Sequence, residues 1–151
     1  MNTFFEFTYR NQQYISFSPS RGGEVLAYHY VPGDLQELLL KVNGDFARFR
    51  QLIIDSAAEQ RFPAATANER LLSPPLMPSQ RSNAIISGFG LTNKKKVQST
   101  GGTPNPVPTW FYKGPGQVLK TDGQPLNIER GTTAICEEAE IVLVYLIDSQ
   151  G

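Results

Sequence analysis

The sequence predicts an α+β fold, a small N-terminal antiparallel sheet with two helices followed by a half rich in short strands. Three observations lead to it. Up to Tyr30, residues facing opposite ways alternate with the period of a strand. From Asp34 to Gln60, apolar residues recur three and four positions apart, the spacing of a helix face. A proline-rich stretch then intervenes, and only short apolar segments punctuated by Gly and Pro follow it.

In the first half, TFFEFTY (residues 3–9) sets Phe5, Phe7 and Tyr9 against Phe4, Glu6 and Thr8 on opposite faces. RNQQ reads as a turn, and YISFS and VLAYHY read as further strands. Pro32-Gly33 ends the sheet, and Asp34 is placed to cap a helix over LQELLLKV, with Leu35, Leu38 and Leu39 on one face. Asn43-Gly44 breaks that helix. Asp45 then caps a core-facing helix of about four turns, on which Phe46, Phe49, Ile53 and Ala57 share a face.

Prolines at 63, 74, 75 and 78 exclude regular structure between Phe62 and Gln80 and place a boundary there, dividing the chain into domains 1–75 and 76–151. Beyond it, NAIISGFGLTN predicts a buried strand over Ala84–Ser87 that ends in a glycine loop. Residues 97–108, VQSTGGTPNPVP, form a long loop of the kind that often covers a binding site. Then come TWFYKG, a tight turn at Gly114-Pro115-Gly116, short strands near 117–119 and 126–129, and a terminal strand.

Composition narrows the function classes. Fourteen basic and fourteen acidic residues cancel, so no overall field draws the chain to nucleic acid or to an anionic membrane. The run Lys94-Lys95-Lys96 reads as a solvated loop. A single cysteine, Cys136, excludes an internal disulfide, and one histidine, His29, leaves little material for a His-dependent triad or a structural zinc site. MNTFFEFTYR lacks the features of a signal peptide, and no apolar run approaches the ~20 residues that span a bilayer. The expectation is a cytoplasmic protein that meets neither nucleic acid nor membrane.

Three segments could carry chemistry. In CEEAEIVLVYLIDSQG, strand alternation puts Glu138 and Glu140 on one face with Val142, Val144 and Leu146, and Glu137 on the other. Carboxylates so placed have Cα atoms roughly 6.5–7 Å apart and can converge on one hard cation, Mg2+ being the best suited. By composition alone a solvated strand end is the simpler reading. The apolar residues on both faces beyond the pair favour a buried strand, in which glutamates need a cation or a partner.

In TWFYKGPGQ, Trp110, Phe111 and Tyr112 read first as core aromatics, while Lys113 before a Gly-Pro-Gly turn could meet an anion. In ISGFGLTN, glycines let backbone approach a ligand, and Thr92 and Asn93 offer hydrogen bonds.

Taken in order, ISGFGLTN, PTWFYKGPG, DGQPLNI and CEEAEIVLVYLID resemble the fumarylacetoacetate hydrolase superfamily, and most closely its bacterial sugar-acid-catabolism branch. The resemblance covers residues 82–151. It implies that the second half is the first part of a mixed β-sandwich or β-roll catalytic domain, usually dimeric, which binds Mg2+ or Mn2+ and a small-molecule 2-oxo acid. Position by position, it makes Glu138 and Glu140 metal ligands, Lys113 and Asn93 catalytic positions, and Gly90, Thr92, Tyr112 and Gly114 substrate-binding positions. The implied reaction is C–C bond hydrolysis, or dehydration of a 2-keto-3-deoxy sugar acid, through an enolate that the metal stabilises.

Two departures stand out. Asn93 occupies a position where the family commonly has His, and an amide cannot serve as a general base near neutral pH. Family members also carry a third metal ligand and most of the sandwich after the Glu-x-Glu strand. The ending Asp-Ser-Gln-Gly reads as a hairpin turn cut short, so the expectation is the N-terminal half of a longer enzyme. The alternative is a truncated, non-catalytic remnant, or a binding and oligomerisation module of the same fold.

Overall fold

The computed structural model describes residues 3–17, 24–31, 33–89, 98, 101–102, 110–135, 141–148 and 150. The fold is α+β, built on a small five-stranded antiparallel sheet and a few helices. The chain divides into two compact units, Met1–Leu76 with Lys120–Gly151, and Met77–Leu119.

In the first unit, β1 (Phe5–Tyr9), β2 (Gln12–Ser16) and β3 (Val25–Tyr30) form an antiparallel meander, as the alternation predicts. Arg10 and Asn11 both adopt positive φ (47° and 63°), the backbone that a two-residue hairpin turn between right-twisted strands requires. Two helices follow, α1 (Asp34–Lys41) and α2 (Phe46–Ser56). Then β4 (Glu59–Phe62) pairs with β3, and β5 (Leu71–Leu72) pairs with β1 on the far side, giving the order β4-β3-β2-β1-β5.

Each face of this sheet carries a buried cluster. On one face Ile15 and Tyr28 pack with Leu35 and Val42 beside α1 and with Phe49 and Ile53 of α2. Phe4, Phe17 and Phe46 surround Phe49 with ring centroids 6.0–6.1 Å from it, within the range of favourable edge and offset contacts. On the other face Phe7, Tyr14, Val25, Ala27 and Phe62 form a second cluster, in which Tyr14 and Phe62 meet at 4.8 Å.

The helices differ from expectation at their ends. Asp34 is the first helical residue, not the cap: Gly33, at φ 101°, takes the cap position and its carbonyl accepts the Gln36 and Glu37 amides. The Asp34 carboxylate instead faces the positive end of the helix. Asp45 does cap α2, its side chain accepting the Arg48 N–H at 3.1 Å. That helix is a turn shorter than predicted because Ala57 is extended (φ −116°, ψ 145°) and leads into β4.

The proline-rich stretch, which begins at the last residue of β4, also carries structure: a 3-10 helix over Ala64–Glu69, and β5. Residues Gly116–Val118 form a 3-10 helix in place of the expected strand, and 126–129 contain no strand. Residues 141–148 likewise form no strand, with Ile141 96% and Tyr145 79% exposed. A strand is held by its ladder, and no described segment pairs with either stretch.

Phe49 is fully buried among three aromatic rings, so Phe49→Ala is expected to cost about 3–5 kcal/mol of unfolding free energy. Asp45→Ala, which removes only the cap, should cost about 1 kcal/mol. Urea denaturation followed by far-ultraviolet circular dichroism checks both values. Equal losses would contradict this packing.

Candidate functional site

Two of the singled-out segments meet in the second unit. β6 (Ile85–Phe89) and β7 (Trp110–Pro115) form a two-stranded antiparallel sheet. Gly88 lies opposite Phe111, Ser87 opposite Tyr112, and Ile86 opposite Gly114. Lys113 is therefore the extra residue of a β-bulge, a device that re-aims a side chain and increases local twist.

The space at Gly88 is taken up by that lysine. A Cβ built on Gly88 would lie 2.8 Å from Lys113 Cε and 2.8 Å from Phe111 Cζ. The Lys113 stem and the Phe111 ring thus lie over bare backbone, and the ammonium is 5.6 Å from the Phe111 ring centroid, at cation–π range. The sequence marks Gly88 as a place for a ligand to approach; the structure fills it with protein. The bulge that causes this leaves no mark in the composition of either strand.

Gly114 follows directly. Its φ is +141°, a backbone that side-chain-bearing residues rarely adopt, and a Cβ there would lie 2.6 Å from Val118 Cγ1. The turn's backbone donors do not converge on an anion as expected. Pro115 has none, and the Gly116 N–H donates to Ala84 O at 2.9 Å. Lys113 supplies the positive charge at this turn. Trp110, Phe111 and Tyr112 are 57%, 41% and 56% exposed, so these aromatics do not form the core that composition suggests.

Of the predicted site residues, Tyr112, Lys113 and Gly114 are described, and they are consecutive residues of β7. The other predicted site residues, Gly90, Thr92, Asn93, Glu138 and Glu140, lie outside the described residues, as does Lys94-Lys95-Lys96. Among the described residues, no group of three His, Cys, Asp or Glu side chains could hold a metal ion. No helix among them is long and apolar enough to cross a membrane.

The buried polar residues of the first unit escaped sequence reasoning. Glu6 is buried in β1, and its carboxylate accepts the Tyr30 hydroxyl at 2.5 Å and the Leu76 N–H at 2.7 Å. Burial raises its pKa above the ordinary value, and the two hydrogen bonds offset only part of that. The available signal was a lone acid in a strand whose neighbours on both faces are aromatic.

The chain matches no protein-family model, no curated protein and no solved structure.

Gly114→Ala is expected to destabilise the β6–β7 hairpin by about 1–3 kcal/mol, because it combines backbone strain with an unavoidable contact. Gly88→Ala should cost less, since only the movable ends of Lys113 and Phe111 must shift. Trp110, the single tryptophan, starts β7 and reports both through its fluorescence on unfolding. The reverse order of the two effects would refute the geometry.

Proposed function

We propose that this chain belongs to a divalent-metal-dependent enzyme of the fumarylacetoacetate hydrolase superfamily. Its substrate is a 2-oxo acid, cleaved by C–C bond hydrolysis or, for a 2-keto-3-deoxy sugar acid, dehydrated. It works in the cytoplasm as a homodimer. The observation that supports this best is the register of β6 with β7: two segments that resemble the family's pocket loops, 22 positions apart at Gly88 and Trp110, are adjacent strands with Lys113 on a bulge between them.

In this reading Glu138 and Glu140 hold Mg2+ or Mn2+, and two carboxylates are a donor set that suits a hard cation. When bound, the ion supplies charge stabilisation as the substrate bond breaks. The chain's other residues bind and orient. Lys113 meets substrate carboxylate as a point charge, its stem lying over the Gly88 backbone beside Phe111. Tyr112, Gly114, Gly90 and Thr92 line the pocket. Asn93 orients a water or a carbonyl and does not remove a proton.

Asn93 also favours a second reading, a remnant or binding module that keeps the fold without the chemistry. Turnover of acylpyruvates or 2-keto-3-deoxy sugar acids separates the two.

Mn2+ titration followed by electron paramagnetic resonance tests the metal assignment, on the chain and on any form extended by the reading frame beyond codon 151. Glu138→Ala and Glu140→Ala should each weaken binding at least about tenfold, the loss of one charged ligand. Lys113→Ala should lower kcat/KM roughly a hundredfold with metal affinity unchanged. Metal binding indifferent to both glutamates would remove the proposal's foundation.

A further inference from the structure

Leu76 is the one described non-glycine residue outside a hairpin or helix-to-helix turn with positive φ, at 53°. Such a backbone persists only where its surroundings over-determine it. Here both of its peptide groups are held by side chains of the first unit. Its N–H donates to Glu6 Oε1 at 2.7 Å, and its carbonyl accepts Gln36 Nε2 from α1. Three residues earlier, the Ser73 N–H donates to the Glu6 carbonyl at 3.0 Å, and the Ser73 hydroxyl lies 3.2 Å from that of Thr8. The chain passes from the first unit to the second between Leu76 and Met77.

The acceptor at the centre of this arrangement is unusual. Glu6 is 3% exposed and forms no ion pair among the described residues. Tyr30 of β3 is the titratable group that faces it, and burial followed by the neighbouring carboxylate pushes that phenol up, so it remains a donor. β2 presents the neutral Gln13, 3.5 Å from the Tyr30 hydroxyl. The charged residues of α1 and α2 (Asp34, Glu37, Lys41, Arg48, Arg50 and Asp55) are all exposed, and Arg70, which leads into β5, is half-buried without pairing to Glu6.

We infer that Glu6 is a proton-controlled clasp: its neutral acid holds Ser73–Leu76 against the sheet with Leu76 left-handed, and its ionisation releases that segment. The neutral acid accepts the Leu76 N–H through Oε1 and the Tyr30 hydroxyl through Oε2, and it carries no charge to desolvate. An ionised Glu6 has two donors and no cation among the described residues, so opening the segment to water stabilises it and relaxes Leu76 together. The sign follows from linkage. The closed form holds the proton more tightly than the open form, so the clasp is fully closed below the ordinary carboxylate value. It weakens as pH rises through the raised value, and opening then levels off.

Amide hydrogen exchange at Leu76 and Ser73, corrected for intrinsic rates, tests this in the intact chain alongside the 13C titration of the Glu6 carboxyl. Protection at Leu76 is expected to fall about tenfold for each pH unit between the open-state and closed-state midpoints. Glu6→Gln keeps an acceptor for Leu76 that cannot ionise, and should make protection independent of pH. Tyr30→Phe removes a donor to the ionised form, and should move the Glu6 midpoint and the loss of protection upward together, which covers the case where Glu6→Gln does not fold. Leu76 protection that stays flat while Glu6 titrates would overturn the clasp. So would a pH-dependent loss that survives in Glu6→Gln, or a Tyr30→Phe shift in one midpoint without the other.

Discussion

A buried cluster on each face of one sheet is the constraint from which the first unit follows. A central strand such as β1 lies between the two clusters, so each of its side chains must find apolar or hydrogen-bonded surroundings. Phe5, Phe7 and Tyr9 do so by packing against Tyr14 and Phe62. Glu6 cannot. It sits between Phe4 and Thr8 on the helix-covered face, and its oxygens are satisfied only because Tyr30 and the Leu76 backbone reach them. That one carboxylate then dictates the path of the chain as it leaves the sheet. Leu76 accepts a left-handed backbone because its N–H is worth more bonded to a buried acceptor than relaxed and unpaired.

The second unit is built on another principle. A two-stranded sheet buries little, and Trp110, Phe111 and Tyr112 are exposed in it. The position of Lys113 is set by local devices: the bulge between Ile86 and Ser87, the bare backbone of Gly88, and the close approach of Gly114 to Val118. These act through sterics at single residues, and none of them depends on a hydrophobic core.

The same contrast explains what could be read from the residues alone. Periodicity located β1 to β3 and both helices, because a face buried against a core imposes a period on the sequence. It failed at β4 and β5. EQRF at β4 is polar but for Phe62, and LL at β5 is too short for any period; both exist because an edge of the sheet was available to pair with. It failed in the opposite sense at 141–148, where a strand-like run of Ile, Val and Leu has no ladder and lies exposed. Of the candidate site, neither the pairing of ISGFG with WFYKG nor the bulge at Lys113 was legible in the residues. A bulge is a register shift between two strands and belongs to neither sequence alone.

The two principles have different consequences for function. In the first unit, an ionisable group is locked into a cooperative core, so any change at Glu6 is transmitted to backbone hydrogen bonds at Ser73 and Leu76. In the second, the bulge, the bare backbone of Gly88 and the close approach of Gly114 to Val118 are local features of one hairpin. The bare backbone of Gly88 lies beneath the Lys113 stem, and the Lys113 ammonium is 5.6 Å from the Phe111 ring centroid. Strain introduced at Gly88 or Gly114 is therefore felt first in the β6–β7 hairpin that carries Lys113, because the contacts there are local.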